Sequence, residues 1–255
     1  MTAPENRAPG GTKDPALTPL STRAPLHVLE ATPPAGSTPT NDDQPTTATD
    51  TYLLLHGYGA TSYMWRHWRG AFAARGRVLL VDMKGFGDAP KPDDGRYSPL
   101  DLADAVTDFI GEHDLRRLTL VGQSLGGGVA LLTALRLHDE GPTSNGVSRL
   151  RRLILVAPAA YRQRLPPFVW LSHSPRLPTA LLRLVGARRV VRWTLRSVVY
   201  DRDSITDDQV EAYVRPWRSR AGARAALAVG RQIMPPDIEA LTARYPELDI
   251  PTLLL

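Results

Sequence analysis

A serine stands between two glycines in the segment Gly122-Gln123-Ser124-Leu125-Gly126, which matches the pattern Gly-x-Ser-x-Gly. The apolar run LTLV precedes this segment, and the helical run LGGGVALLTAL begins within it. The pattern therefore predicts a sharp strand-to-helix turn, from which the Ser124 hydroxyl projects as a nucleophile. Gly122 and Gly126 would leave room where side chains would clash with the turn, and the helix N-terminus would supply free N–H groups.

A second glycine-rich turn, His56-Gly57-Tyr58-Gly59, follows the apolar run TYLLL. Sites in doubly wound sheets form beyond the carboxyl ends of the strands, so this turn could aim a backbone N–H at an oxyanion formed on Ser124. We predict a structural role for the His56 ring, because it lies at the end of a strand rather than on a loop.

Five short apolar runs alternate with helical patterns from residue 51 onwards, and such runs are typical of strands buried on both faces. This alternation predicts an α/β fold with a doubly wound, mostly parallel sheet. The predicted strands are Thr51–Gly57, Arg77–Asp88, Arg117–Ser124, Arg151–Ala160 and a last one that begins at Ile250. The predicted helices are Tyr63–Arg75, Pro99–Glu112 and Leu125–Leu137.

The alternation divides the chain into four predicted parts. Residues 1–50 contain 9 Pro and 10 Thr and are predicted to be a largely disordered tail, with Pro25–Ala31 as a possible edge strand. Residues 51–160 form the predicted core. Residues 161–245 are helical in pattern and interrupted by prolines, so we predict a helical cap inserted into the core. Residues 246–255 begin a further core strand.

Composition excludes several classes of site. The chain has no cysteine, which excludes disulfides, thiol catalysis and cysteine-based metal centres. No apolar run approaches the ~20 residues of a membrane-spanning helix, and the N-terminus lacks the apolar stretch of a secretory signal. The sequence therefore favours a cytoplasmic protein, and no motif indicates a metal or another cofactor.

The net charge of +5 is unevenly distributed. Residues 160–232 hold 14 arginines and no lysine against 5 acidic residues. Such a stretch can attract a nucleic acid, a membrane surface or an anionic substrate, although a solvated helical surface is the ordinary interpretation. Because no nucleic-acid recognition motif accompanies the arginines, we predict no nucleic-acid partner. The oligomeric state stays open.

Five segments in this order resemble the α/β-hydrolase superfamily, and in particular its cap-bearing serine branch of esterases and C–C bond hydrolases: LLLHGYGAT, VDMKGFGDAPKP, LVGQSLGGGVAL, LILVAPAA and IPTLLL. The resemblance implies that Ser124 is the nucleophile and that the backbone N–H groups of Tyr58 and Leu125 form the oxyanion hole. It also implies a structural role for Asp82.

A serine nucleophile needs a histidine and an acid, which in this fold follow it in the order Ser, Asp/Glu, His. By the resemblance, both lie beyond Leu255, together with the last strand and helix of the fold. Two explanations compete: the 255 residues are a truncated copy of a longer hydrolase, or the protein is a non-catalytic relative. We favour the first, because the sequence stops inside an apolar run.

Within the chain, the candidates for the missing groups are weak. His138 ends the helix after the serine, and His173 lies in the predicted cap. Asp201 and Asp203 also lie in the predicted cap, away from the loops where this fold carries its acid.

These observations favour a serine hydrolase that acts on a carboxylic ester or related acyl compound through an acyl-enzyme. Apolar residues early in the predicted cap (Leu165 and Pro167 to Leu171), with Trp193 and Trp217, indicate a small-molecule substrate with a hydrophobic portion. The alternatives are a catalytically dead scaffold or binding protein of the same fold, and a C–C bond hydrolase of the meta-cleavage type.

Overall fold

The computed structural model describes residues 16–32, 50–142, 146, 148–164, 169, 171–174 and 185–255. Their centre is a seven-stranded sheet in the order β1-β2-β4-β3-β5-β6-β7. The strands are β1 (Leu17–Leu20), β2 (His27–Ala31), β3 (Thr51–Leu55), β4 (Arg77–Asp82), β5 (Leu118–Gln123), β6 (Leu150–Val156) and β7 (Thr252–Leu254).

The five strands from β3 to β7 run parallel to one another, as the alternation of strands and helices predicts. Side chains of β3, β4 and β5 are buried on both faces of the sheet, which explains why these segments are almost continuously apolar. The predicted α/β class and mostly parallel sheet are therefore confirmed. Each predicted strand forms, although the predicted runs extend past the strand ends into the turns.

The N-terminal region departs from its prediction. Residues 27–31 form a strand, but β2 lies second in the sheet rather than at the edge, since it pairs antiparallel with both β1 and β4. The edge is β1, a strand that the sequence pattern did not reveal. Val28 and Leu29 of β2 are almost completely buried, so this part of the predicted tail belongs to the core.

Three α-helices are described between β3 and β6. They are α1 (Arg69–Ala73), preceded by a 3₁₀ helix at Ser62–His67, then α2 (Pro99–Glu112) and α3 (Leu125–Glu140). The prediction of a single helix over Tyr63–Arg75 is wrong in this respect, because two short helices meet at Trp68. α2 has its predicted bounds: Ser98 and Asp101 form a reciprocal capping box and Pro99 occupies the first turn.

Four further helices are described between β6 and β7: α4 (Ala187–Val198), α5 (Asp207–Val214), α6 (Arg220–Gln232) and α7 (Ile238–Ala243). α6 joins them to the sheet, because Ala225, Ala226 and Val229 belong to the same buried cluster as the strands. α4, in contrast, has no buried residue. Within the described residues, no helix is both long and apolar enough to cross a membrane.

Candidate active site

Ser124 sits on a strained turn between β5 and α3. Its backbone lies at φ 51° and ψ −116°, in a region that residues with side chains rarely adopt. The turn is held from both sides: the Ser124 N–H donates to the Val156 carbonyl at 3.0 Å, and the Ser124 carbonyl accepts from the N–H of Ala159 at 2.9 Å and of Gly127 at 2.9 Å. The sheet and the helix thus fix a conformation that aims the Ser124 side chain away from both.

The two glycines around Ser124 are required by close backbone contacts. A Cβ atom on Gly122 would lie 2.3 Å from the Gly126 carbonyl oxygen, and one on Gly126 would lie 2.3 Å from the carbonyl oxygen of Leu55. Both distances are far below van der Waals contact, so only glycine fits at either position. The sequence pattern predicted this requirement.

The turn after β3 lies against the serine turn. A Cβ atom on Gly57 would be 3.4 Å from Ser124 Cβ, and still closer to the Gln123 side chain. Tyr58, Ser124 and Leu125 all line one cavity. The structure therefore brings together the three residues that the sequence predicted for the nucleophile and the oxyanion hole.

The cavity has a volume of about 1190 Å³ and is lined mainly by apolar side chains. Its lining combines residues of the core with residues of α4. Trp193 and Trp217 both contribute, as does Val169 of the predicted apolar cluster. Leu165, Pro167, Phe168 and Trp170 lie outside the described residues, and Leu171 begins a short 3₁₀ helix at Leu171–His173.

Among the described residues that line the cavity, the formally charged ones are Arg164 and Arg189, and none is acidic. Tyrosine is neutral near pH 7 at its ordinary pKa of about 10, and burial moves three lining tyrosines further in that direction. It raises the pKa of Tyr58 and of Tyr213, and raises that of Tyr245 to about 12. The cavity as described is therefore apolar and offers no side chain that would accept a proton near neutral pH.

His56 has the predicted structural role. It is completely buried; its Nδ1 contacts the Gly57 carbonyl at 2.7 Å, and its Nε2 accepts from the Met83 N–H at 3.1 Å. These partners fit a neutral ring with its proton on Nδ1. Burial lowers the pKa of His56 below its ordinary value of 6.5, although the nearby Asp82 and the Gly57 carbonyl act in the opposite direction.

The other five histidines all fall in described parts of the chain, and none lines the cavity. They lie in β2, in the 3₁₀ helix before α1, just after α2, in the last turn of α3 and at the end of the Leu171–His173 helix: His27, His67, His113, His138 and His173. Asp201 caps a short 3₁₀ helix and Asp203 lies within it, both exposed.

Asp82 organises the loops around the site. Its Oδ1 accepts from the Ser62 N–H at 2.6 Å, and its Oδ2 accepts from the Asp88 N–H at 2.9 Å. Side-chain ligand atoms of His27, Asp82 and Asp88 lie within 4.8 Å of one another, so geometry alone would allow a metal ion there. However, Asp82 is engaged by two backbone donors and Asp88 pairs with Arg215, so these carboxylates already serve the loops.

Sequence reasoning missed several lining residues. Gln123 was treated only as a spacer of the motif, yet its side chain packs against the turn after β3. Arg164 and Arg189 were seen only as part of an arginine-rich stretch. For Arg189, the alternation of arginines with apolar residues along α4 was the available signal, but it does not reveal which side faces a cavity.

Comparison with known proteins identifies the family. The model of the Alpha/beta hydrolase family matches residues 52–255. The chain belongs to the α/β-hydrolase family. Two solved structures have the same fold: an α/β-hydrolase fold protein from Burkholderia ambifaria (TM-score 0.71, 21% identity, 93% of this chain and 78% of that one) and the haloalkane dehalogenase DatA from Agrobacterium tumefaciens C58 (TM-score 0.69, 20% identity, 93% and 77%).

The curated relatives include hydrolases and uncharacterized proteins. A 2-hydroxymuconate semialdehyde hydrolase of Pseudomonas sp. (strain CF600) is 34% identical over 110 residues, 42% of this chain and 36% of that protein. A pimeloyl-[acyl-carrier protein] methyl ester esterase of Aeromonas hydrophila is 40% identical over 105 residues, 41% and 36%. An uncharacterized Mycobacterium tuberculosis protein is 39% identical over 191 residues, 69% and 52%. The matched regions thus cover 36% to 52% of these relatives.

Proposed function

We propose that this α/β hydrolase is a serine hydrolase in which Ser124 attacks the carbonyl carbon of a carboxylic ester or related acyl compound. The observation that carries the proposal is the strained Ser124 turn, which opens into a large apolar cavity. A conformation of this kind costs about 1–3 kcal/mol and persists where the surrounding structure enforces it, commonly at functional sites.

The attack would place negative charge on the carbonyl oxygen, and we assign the backbone N–H groups of Tyr58 and Leu125 to stabilise it. Leu125 begins α3, so its N–H is one of the unpaired donors of a helix N-terminus. The close approach of Gly57 to Ser124 supports the role of Tyr58, because it places the turn after β3 beside the nucleophile. Collapse of this intermediate would break the ester C–O bond and release the alcohol, which takes up the proton lost by Ser124. Attack by water on the acyl-enzyme would then release the carboxylic acid and restore the Ser124 hydroxyl.

We further propose that the helices between β6 and β7, within residues 161–245, act as a cap over Ser124. α4 and Trp217 line the same cavity as Ser124 and contribute to its apolar surface. A cavity of this size and polarity suits a small-molecule substrate with a substantial hydrophobic portion. No nucleic acid is needed to explain the arginines, many of which pair with acidic residues.

The Ser124 hydroxyl needs a general base. None of the six histidines of the chain lines the cavity, and His56 is fully engaged elsewhere. We therefore propose that a histidine and an acid outside residues 1–255 complete the site in the full protein.

The test is hydrolysis of p-nitrophenyl butyrate by the product of the complete open reading frame that contains codons 1–255. Ser124→Ala should remove turnover while leaving the circular dichroism spectrum unchanged. Ser148→Ala, an exposed serine just before β6, is the matched control and should retain turnover. Equal turnover by Ser124→Ala and the unaltered protein would refute the assignment of the nucleophile.

A covalent probe of the complete protein separates a dead scaffold from an enzyme. An activated serine reacts covalently with a fluorophosphonate, and the labelled peptide can be identified by mass spectrometry. Labelling of Ser124 in the complete protein supports the hydrolase. A folded complete protein that neither labels nor hydrolyses esters would be a binding protein with the α/β-hydrolase fold.

A C–C bond hydrolase is a second candidate. Two observations favour it: the similarity to a 2-hydroxymuconate semialdehyde hydrolase, and the two arginines of the cavity, which could pair with a carboxylate of a vinylogous acid. If this candidate is right, a 2-hydroxy-6-oxo-dienoate should be a far better substrate than the p-nitrophenyl ester. Arg189→Gln should then raise KM for the dienoate and leave KM for the uncharged ester unchanged.

A further inference from the structure

Large apolar side chains are exposed around the opening of the cavity. We define this rim surface by Tyr161, Val185, Trp193, Val198 and Tyr200. Trp193 and Val198 are each 60% exposed, and all members except Tyr200 also line the cavity. The rim surface is therefore continuous with the apolar lining, and none of the 12 residues of α4 is buried. Exposed apolar side chains that cluster in this way mark an interaction surface.

The polar side of α4 is basic. Arg188, Arg189, Arg192 and Arg196 fall on one side of a helix with 3.6 residues per turn, and the apolar residues of α4 fall on the other. Arg188 and Arg192 pair with Asp207 of α5. Arg189 and Arg196 form no ion pair with the residues that the structure describes, so two positive charges remain available beside the rim surface.

We propose that α4 and the rim surface bind an anionic lipid surface. The available arginines would meet the lipid headgroups, and the exposed side chains of the rim surface would enter the acyl boundary, as in helices that lie at a membrane interface. The valines and the leucine of α4 that are not part of the rim surface would keep lining the cavity. A second copy of the chain fits less well, because a symmetric contact would bring the two available arginines of each copy together. A nucleic acid would leave Trp193 and Val198 in water.

Binding would place the opening of the cavity at the lipid interface. Binding to the lipid surface does not depend on the chemistry of Ser124. Only its consequence, entry of an apolar substrate from the bilayer, rests on the proposed hydrolase function. The two can therefore be tested separately.

The test is sedimentation of the product of the complete open reading frame with sucrose-loaded vesicles, either of phosphatidylcholine alone or of phosphatidylcholine with phosphatidylglycerol. We expect binding to the mixed vesicles, weakened by salt because headgroup attraction is screened. Trp193→Ala and the double variant Arg189→Gln/Arg196→Gln should each weaken binding about tenfold or more.

The matched controls carry equal changes elsewhere on the molecule. Trp68→Ala removes a tryptophan that is 55% exposed beside α1. Arg75→Gln/Arg116→Gln removes two exposed charges that lie after α1 and just before β5. Both controls should bind vesicles as the unaltered chain does, and so should Ser124→Ala. Three outcomes would overturn the proposal: no binding to mixed vesicles, equal weakening by controls and test variants, or self-association without lipid that Trp193→Ala abolishes.

Discussion

At the scale of single residues, the site depends on backbone atoms that approach more closely than any side chain would allow. The Ser124 turn uses donors and acceptors from α3, from β6 and from the segment after β6, so four parts of the chain meet within a few ångströms. The local requirement for glycine is visible in the sequence as Gly-x-Ser-x-Gly. Its cause, the Leu55 carbonyl beside Gly126, belongs to another strand and is visible only in the structure.

Gly126→Ala should therefore destabilise the fold as well as the site. The new methyl group would overlap the carbonyl oxygens of Leu55 and His56, and forced overlap in a packed region costs about 1–3 kcal/mol or more. Urea unfolding should show a lower free energy of unfolding by at least about 2 kcal/mol. Gly70→Ala in α1 is the control: its Cβ would meet nothing within 4 Å, and alanine favours the helix, so no loss is expected. Equal losses for both variants would contradict the explanation.

The buried His56 predicts a dependence of stability on pH. Its folded-state pKa lies below 6.5, so between the two values the unfolded chain binds a proton that the folded chain does not. The stabilising contribution is complete above pH 6.5 and is lost as the pH falls from 6.5 towards the folded-state pKa. Urea unfolding between pH 8 and pH 5 should therefore show a fall in stability that is smaller in His56→Gln. His138→Gln, which changes an exposed histidine, should keep the full fall; equal slopes for all three proteins would contradict the assignment.

At the scale of elements, the sequence predicts what local interactions determine. α2 begins where it was predicted to begin, because its start signals, Pro99 and the Ser98–Asp101 capping box, lie within four residues of one another. β1 escaped prediction because it is four residues long and contains a proline. β2 was placed at an edge because its pairing with β4, about fifty residues further along the chain, has no local signal.

One acidic residue joins three neighbouring strands at their amino ends. Asp50 lies just before β3 and is buried. Its carboxylate accepts from the guanidinium groups of Arg117 at 2.7 Å and Arg151 at 2.9 Å, and lies 3.6 Å from that of Arg152. The sequence pattern placed Asp50 at the end of the predicted tail, because its two partners on β6 lie a hundred residues away.

Asp50→Asn should lower the free energy of unfolding by about 2 kcal/mol, since it leaves three arginines without their shared, mostly buried partner. The control is Asp114→Asn, whose carboxylate also pairs with two arginines but is 57% exposed. Exposed pairs contribute about 0–1 kcal/mol, so little change is expected there. Urea denaturation of both variants measures the difference. Similar losses would show that burial of Asp50 is not what makes its ion pairs matter.

At the scale of the whole molecule, the inserted helices are attached to the sheet unevenly. α6 contributes to the main buried cluster, and the Tyr58 hydroxyl donates to the Ala226 carbonyl at 3.0 Å, which ties α6 to the turn beside Ser124. α4 has no buried residue, and its described ion pairs reach only α5. Part of the cavity lining thus belongs to elements packed into the main buried cluster, while the part contributed by α4 rests on exposed contacts.

This difference predicts unequal hydrogen exchange. Local opening requires little free energy where few apolar contacts are lost, so amides of α4 should exchange at least about tenfold faster than those of α6. Exchange followed by mass spectrometry of peptides from Ala187–Val198 and Arg220–Gln232 measures this directly. An apolar ligand that fills the cavity should slow exchange in α4 more than in α6, because it would give the apolar side of α4 a packing partner. Equal protection of the two helices without ligand would contradict this prediction, because it would mean that α4 is held by contacts as strong as those of α6.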